Sequence, residues 1–348
     1  MQVTFIPGKE INTDLGIVNA ARVSLHKKSA YVPNTTGTHE LSKEDTKLLY
    51  YLAKHNHWTP FAHSRLYFSI KWSTIQNELQ FYKHITRGGF EYIEQDIDID
   101  YIKGSLYSWI NNLHLLPTTA HRDFIHDCIT ELYPVSYDAI YKSKSEYPSM
   151  TYGHEMTRLD ENYLIYHEFW NIACATLLIK IPIFIARQVR TSQVGFSYSN
   201  LYVEGESFVY NEVSRRYVNE LPEFYSIDRW RVRKGRYIKQ GSTGLASNEL
   251  QTVLKNEQFT EHNACRQQYI QLVESHIAPE QLRSMLPQSM YTEFYMTGTL
   301  HRWAQFLKLR LAKDVQEETR EVAVKIAVAL AEQFPRWYDM YFSNGAEI

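Results

Sequence analysis

The sequence predicts a mixed α/β fold, on the evidence of two strand-like segments and two helix-like segments. Residues 3–6 are rich in β-favouring side chains, and residues 66–72 place an apolar side chain at every second position, the period of a half-buried strand. Residues 46–54 predict a short amphipathic helix between them. Residues 314–334 carry core-type side chains at three- and four-residue steps, which predicts a second helix. The chain is therefore expected to begin with a strand, a helix and a strand.

Two further observations bear on the helices. Ser42 followed by Asp45 resembles a capping box with Asp in the position of Glu, so the helix over 46–54 should begin close to Ser42. Residues 162–180 form a long apolar run that ends before Pro182. We interpret that run as a third helix, packed in the core.

Length and composition bound the organisation of the chain. With 348 residues, 44% apolar and 14% aromatic, the chain can bury a large core in one domain or two. Residues 91–160 and 226–280 are richer in charge, tyrosine and turn residues, without repeats or low complexity. We interpret them as elaborations of one core, so that residues 1–348 form a single domain.

Charge and cysteine content exclude several classes of protein. A net charge of -2 provides no basic field for a nucleic-acid backbone, so no nucleic-acid partner is expected. Cys128, Cys174 and Cys265 are widely spaced and contain no CxxC pair, which argues against a disulfide framework or a structural zinc site. The most apolar run, 174–186, is interrupted by a lysine and a proline. We expect a cytoplasmic protein without a membrane partner.

Three separated blocks carry the side chains that an anionic, hydrogen-bonding ligand needs. Residues 210–217 combine an amide, a carboxylate, a hydroxyl and paired guanidinium groups, although a solvated loop or helix end would have the same composition. Arg283 and Arg310 each adjoin apolar sequence that could hold a guanidinium group at the edge of a core. Arginine grips phosphate oxygens with its planar fork, so together the blocks indicate a nucleotide.

Three histidines close together invite a metal-site interpretation. His55, His57 and His63 do not have the i, i+4 spacing of a helical zinc pair, and no nearby carboxylate or cysteine completes a ligand set. We therefore predict no metal. A turn that displays His57 and Thr59 toward a cofactor or a neighbouring subunit fits the pattern better.

Five blocks of sequence, in this order along the chain, resemble the flavin-dependent thymidylate synthases: residues 19–24, 57–63, 185–188, 211–217 and 283–316. The resemblance implies a central, mostly antiparallel sheet flanked by helices, in a homotetramer that binds FAD and dUMP where subunits meet. It also implies the transfer of a methylene group from methylenetetrahydrofolate to C5 of dUMP, with NADPH-reduced FAD as the hydride source. The chain lacks the Pro-Cys-His signature of the unrelated, folate-only thymidylate synthases.

The resemblance assigns side chains to both ligands. The positions that match the family's dUMP site are Gln188, Glu212, Ser214, Arg216, Arg283 and Arg310. The positions that match its FAD site are His57, Thr59, Arg190, Gln193, Asn211, His301 and Gln305. Ser214 and Arg310 are the expected catalytic residues, with Ser214 positioning or polarising the base and Arg310 offsetting charge on the nucleotide.

The cofactor side departs from the family pattern. Thr-Ser-Gln at 191–193 replaces the usual Arg-His-Arg, and 197–209 has the character of an insertion inside the signature. Ala62 replaces the usual glutamate of its block. His301 and Gln305 stand where many members have arginine and asparagine, and Thr299 also replaces an asparagine. Arg190, His301 or Arg302 are candidates to replace the lost charges.

These departures leave two alternatives to thymidylate synthesis. One is a sister reaction on a pyrimidine nucleotide, in which water instead of hydride completes the transfer and forms 5-hydroxymethyl-dUMP. The other is a non-catalytic homologue that binds the nucleotide and has lost FAD.

Overall fold

The computed structural model describes residues 1–35, 38–71, 90–94, 99–112, 119–141, 155–159, 161–166, 172–191, 208–216, 218, 220–233 and 242–342. The strands are β1 Gln2–Ile6, β2 Val32–Pro33, β3 His39–Glu40, β4 Arg65–Lys71, β5 Phe90–Glu94, β6 Ile99–Ser105, β7 Glu155–Leu159, β8 Cys174–Pro182, β9 Val209–Glu212, β10 Arg231–Val232, β11 Thr243–Leu245 and β12 Tyr291–Thr299. The α-helices are α1 Gly8–Ile11, α2 Asp14–Arg22, α3 Lys43–Lys54, α4 Thr59–Ala62, α5 Leu106–Asn112, α6 Thr119–Leu132, α7 Pro134–Tyr141, α8 Glu161–Tyr166, α9 Ile183–Arg190, α10 Asn248–Glu274, α11 Pro279–Leu282, α12 Leu300–Arg310, α13 Glu317–Gln333 and α14 Pro335–Phe342. Short 3-10 helices span Val23–Leu25 and Arg283–Met285.

The central sheet has the order β1-β8-β12-β9, and its strands pair antiparallel. β8 occupies a middle position between β1 and β12, so the helix predicted over 162–180 is wrong. The helix in this region, α8, ends at Tyr166, and Ile179 and Ile181 of β8 are fully buried. Leu178 and Lys180, on the other face of β8, are only half-buried, but a short apolar run of this kind cannot be distinguished from a buried helix by hydrophobic periodicity alone.

A second sheet has the order β5-β6-β4-β7, also antiparallel. It contains the strand predicted over 66–72, of which the last residue lies outside the described residues. Leu66 and Phe68 are buried against one core, as the alternation predicts, but Tyr67 is buried in the other core. β4 is therefore covered on both faces, because it lies between the two hydrophobic clusters.

Two predicted helices are confirmed, α3 with its predicted start and α13 with a start three residues later than predicted. Ser42 accepts a hydrogen bond from the backbone N–H of Asp45 at 3.1 Å, and α3 begins at the next residue. α13 matches the pattern predicted over 314–334, with Val322, Ile326 and Leu330 fully buried. The predicted strand, helix and strand are present as β1, α3 and β4, with α1, α2, β2 and β3 added before α3 and α4 added after it.

Helices α9, α12 and α13 lie against the central sheet and fill its larger core cluster. Gly298 of β12 allows a close approach there, since a Cβ atom at this position would lie 2.4 Å from the ring of Phe208. The mixed α/β fold with a central antiparallel sheet flanked by helices is confirmed. The interpretation of 91–160, 197–209 and 226–280 as insertions in one domain stays a prediction, and most of 197–209 lies outside the described residues.

Candidate active site

Helix α9 carries two of the predicted ligand-binding side chains in its last turn. The helix follows Pro182, and the N–H groups of Ile183 and Phe184 bond to carbonyl oxygens just before β12 at 2.9 and 3.1 Å. Its apolar face, which includes Ile185, Ala186 and Val189, packs into the core. Gln188 and Arg190 are only half-buried and lie off that face.

Gln188 joins α9 to α12 and α13. Arg310 donates a hydrogen bond to the Gln188 backbone oxygen at 2.6 Å. The side chain of Gln188 accepts from the Thr319 hydroxyl at 3.0 Å and donates to the Gln316 side chain. Burial lowers the pKa of the Arg310 guanidinium from its ordinary value, but an arginine remains charged at neutral pH. Gln188 and Arg310, two residues predicted to bind dUMP, are therefore in contact.

Arg190 joins the same turn of α9 to strand β9. Its guanidinium group pairs with one carboxylate oxygen of Glu212 and lies 5.3 Å from the centre of the Tyr210 ring. The other carboxylate oxygen of Glu212 accepts from the Thr292 hydroxyl at 2.7 Å. A residue predicted for FAD thus contacts a residue predicted for dUMP, as two adjoining ligands would require.

The loop after β9 presents Ser214. Its backbone N–H bonds to the Ser24 carbonyl at 3.0 Å, and the Ser24 hydroxyl donates to the Glu212 carbonyl at 3.1 Å. The Ser214 hydroxyl accepts from the Arg216 N–H at 3.4 Å. Ser24 of the 19–24 block therefore holds the loop that carries Ser214.

Not all of the residues predicted to bind dUMP lie next to one another in the single subunit. Arg216 is exposed, and so is Arg283 at the start of its 3-10 helix. Within the described residues, no hydrogen bond or ion pair joins the Arg283 side chain to Gln188, Glu212 or Arg310. The contacts in this chain assemble Gln188, Glu212 and Arg310 around α9, with Ser214 two residues beyond Glu212.

Five of the seven predicted FAD residues fall into two groups, and a sixth, Arg190, lies on α9. On α12, His301 and Gln305 are 2.9 Å apart, and Gln305 also accepts from the buried guanidinium group of Arg302 at 3.0 Å. The His301 ring also lies 2.8 Å from the Tyr341 hydroxyl.

The second group lies at the start of α4 and on β9, which pack against each other. His57 and Thr59 are exposed there, and Asn211 is half-buried on β9. The remaining predicted FAD residue, Gln193, lies outside the described residues.

The three histidines of the 55–63 region do not converge on a point. His63 is buried, with Nδ1 2.7 Å from the Thr297 hydroxyl, whereas His55 and His57 are exposed beside Tyr51. Across the part of the chain that the structure describes, no group of three or more His, Cys, Asp or Glu side chains is arranged to hold a metal ion.

The burial of His63 predicts a loss of stability in mild acid. Desolvation, with a smaller contribution from the charge of Arg65, lowers the pKa of His63 from 6.5 to about 3, so the folded chain holds a neutral imidazole. Between these values the unfolded chain binds the extra proton. The contribution of His63 to the free energy of unfolding is fully present above pH 6.5. It is lost as pH falls, by up to about 1.4 kcal/mol per pH unit.

Urea unfolding between pH 5 and pH 7 measures this slope. The variant His63→Gln should lose about one proton's share of the pH dependence in this range, whatever its stability at pH 7. His39→Gln, which changes an exposed histidine on β3, should keep the slope of the parent chain. Equal slopes for the parent and His63→Gln would show that His63 is not held neutral.

Sequence reasoning missed several side chains that order this site. Thr292, Gln316 and Glu318 had no assigned role, and Thr319 was expected only as a core position. Thr292 and Gln316 lay within the matching 283–316 block, which is the one signal that could have pointed to them. The others are defined by their contacts across elements, which spacing along the chain does not reveal.

Comparison with known proteins follows the same outline. The sequence profile of the thymidylate synthase complementing protein family matches residues 141–336, more than half of the chain. The chain belongs to this family, and the family predicted from the five blocks is confirmed.

Individual relatives were compared by sequence identity and by the share of each protein that aligns. A flavin-dependent thymidylate synthase from Aquifex aeolicus is 27% identical over 339 residues, which cover 91% of this chain and 93% of that protein. A protein of the same name from Thermus thermophilus is 36% identical over 161 residues, 45% of this chain and 52% of that protein. Among solved structures, a UMP/dUMP methylase from Streptomyces cacaoi aligns with a TM-score of 0.40 and 22% identity, over 51% of this chain and 77% of that one.

Among the helices of the described residues, none has the length and apolar character needed to span a membrane.

Proposed function

We propose that this protein is a flavin-dependent thymidylate synthase, which methylates dUMP to dTMP with methylenetetrahydrofolate as the carbon donor. One observation carries the proposal: the last turn of α9 links Arg310 through Gln188 and Glu212 through Arg190. These four side chains come from three separate parts of the sequence and offer cations, an amide and a carboxylate within one site. Such a set suits a pyrimidine monophosphate, which combines an anionic phosphate with a hydrogen-bonding base.

Each side chain has a proposed role in binding or orienting dUMP. The half-buried Arg310 guanidinium would offset charge on the nucleotide, in surroundings where a charge-assisted bond is stronger than in water. Gln188 would orient the nucleotide by neutral hydrogen bonds. Ser214 is assigned to positioning or polarising the base and not to nucleophilic attack, since within the described residues no hydrogen bond joins its hydroxyl to a basic side chain that could activate it.

The residues proposed for FAD fit this cofactor in their chemistry. The buried guanidinium group of Arg302, held beside His301 and Gln305, supplies a cation for a pyrophosphate. Thr59 and Asn211, on the adjoining α4 and β9, supply a hydroxyl and an amide. When bound, FAD reduced by NADPH would supply the hydride that completes the methyl group. The protein's share is orientation of the nucleotide and exclusion of water.

We also propose a cytoplasmic homotetramer in which neighbouring subunits complete the site. Arg283, His57 and Thr59 are assigned to ligands but exposed in the single chain, which suits residues that meet a ligand bound between subunits. None of the three cysteines, which all lie within the described residues, forms a disulfide, and this is compatible with a reducing compartment. Sedimentation of the purified protein measures the assembly, and a monomer at micromolar concentration would contradict it.

Absorption spectra and mass analysis test the proposed reaction. The purified protein, loaded with FAD, should lose the oxidised-flavin spectrum on adding NADPH and regain it on adding dUMP and methylenetetrahydrofolate. The nucleotide product should carry a methyl group. A hydroxymethyl product would instead support the sister reaction, and binding of dUMP without flavin binding or NADPH oxidation would support a non-catalytic homologue.

A further inference from the structure

A series of hydrogen bonds connects Gln188 to Glu318 of α13 and to Arg231 of β10. Gln188 Nε2 donates to Gln316 Oε1, and Gln316 Nε2 donates to Glu318 Oε2 at 2.9 Å. Both oxygens of Glu318 accept from Nη2 of Arg231, at 2.7 and 2.8 Å. Arg231 belongs to β10, a strand of the hairpin in the 226–280 region. The side chain assigned to the substrate is thus connected to an ion pair in a separate part of the fold.

The Glu318 carboxylate determines the direction of the hydrogen bonds that Gln316 and Gln188 make in this series. An ionised carboxylate only accepts hydrogen bonds, so Gln316 must turn its NH2 group toward Glu318 and its oxygen toward Gln188. Gln188 must then turn its NH2 group toward Gln316 and its oxygen toward Thr319, whose hydroxyl donates. If Glu318 were neutral, either amide could turn over and keep the same neighbours. The charge on Glu318 therefore sets which way the Gln188 amide faces.

Arg231 stabilises the negative charge of the buried Glu318 carboxylate. Glu318 is 6% exposed, and burial raises the pKa of its carboxyl, but hydrogen bonds from its own backbone, Arg231 and Gln316 outweigh this effect and leave the pKa below its usual value. Other charged or titratable groups beside this pair are Glu317, which contacts Arg231 at 3.1 Å and Arg229 at 3.1 Å, together with Glu321, Tyr225, Asp228 and the amino group of Met1.

We infer that Arg231 is a positioning residue for the substrate: by holding Glu318 ionised, it fixes the orientation of the Gln188 amide. The inference rests on the proposed function, in which Gln188 contacts dUMP. It assigns a role to the β10–β11 hairpin, whose two strands are paired and whose Ser242 hydroxyl accepts from Arg231 Nε at 2.8 Å. This part of the 226–280 region would serve substrate binding without touching the substrate.

The variant Glu318→Gln tests this role, because it preserves the shape of the side chain and removes its charge. Binding of dUMP to the full-length protein, measured by calorimetry, should weaken about tenfold, the loss expected when one or two hydrogen bonds are misdirected. In turnover assays KM should rise by a similar factor while kcat changes little. Glu317→Gln is the matched control, since Glu317 also pairs with Arg231 but does not bond to Gln316, and it should bind dUMP within about twofold of the parent chain.

A second pair of variants keeps the test decisive if Glu318→Gln fails to fold. Arg231→Lys retains a cation beside Glu318 and should bind dUMP nearly as the parent does, whereas Arg231→Gln should show the tenfold loss. Equal affinities for Glu318→Gln and Glu317→Gln, or for the two Arg231 variants, overturn the inference and leave the proposed function intact. A parent chain that does not bind dUMP overturns the proposed function itself.

Discussion

Replacing Arg310 by alanine is expected to weaken dUMP binding about a hundredfold, equivalent to about 2.7 kcal/mol, while flavin binding changes much less. Arg310 is half-buried at the end of α12 and bonds to the Gln188 carbonyl at 2.6 Å, so its guanidinium group is held in place before a ligand arrives. Its loss removes charge-assisted bonds to the nucleotide and the link between α12 and α9. Titration of dUMP and of FAD into the same preparation measures both effects.

Lys313→Ala is the matched control for this variant. Lys313 is an exposed cation three residues further along the chain, and its removal changes the net charge by the same amount. It should reduce dUMP affinity by less than about threefold, the size expected for a solvent-screened charge. If Arg310→Ala weakened FAD binding more than dUMP binding, the assignment of Arg310 to the nucleotide would be wrong.

Trp303→Ala is expected to lower the free energy of unfolding by about 3–5 kcal/mol, the largest stability effect among the changes proposed for this chain. Trp303 is fully buried, packs 4.6 Å from the Phe208 ring and 5.8 Å from the Phe306 ring, and donates to the Ala175 carbonyl at 3.1 Å. Alanine would leave a cavity and remove this hydrogen bond. Urea unfolding followed by far-UV circular dichroism measures the loss.

Leu309→Ala provides the comparison on the same helix. Leu309 is 52% exposed, so its truncation should cost less than about 1 kcal/mol. Because Trp303 holds α12 on β8, Trp303→Ala should also weaken dUMP binding through Arg310, which Leu309→Ala should not. Similar losses of stability for the two variants would mean that α12 is not anchored through Trp303.

Local patterns predicted much of the fold correctly. Ser42 and Asp45 marked the start of α3 because a cap is formed by residues three apart, and the spacing of Val322, Ile326 and Leu330 marked α13 because helical periodicity is local. The apolar run before Pro182 was misassigned because its strand partners come from opposite ends of the chain, β1 and β12. Pairing between segments so far apart leaves no signature inside the strand itself.

The sequence by itself determined the family, through five ordered blocks, and the types of side chain that a nucleotide site needs. Only the tertiary structure decided which of these side chains meet: Gln188 with Arg310, and Arg190 with Glu212, while Arg283 remains exposed. It also revealed Glu318 and Arg231 behind Gln188. The physical reason is that side-chain identity is written along the chain, whereas hydrogen bonds and ion pairs depend on distances of about 3 Å that folding alone creates.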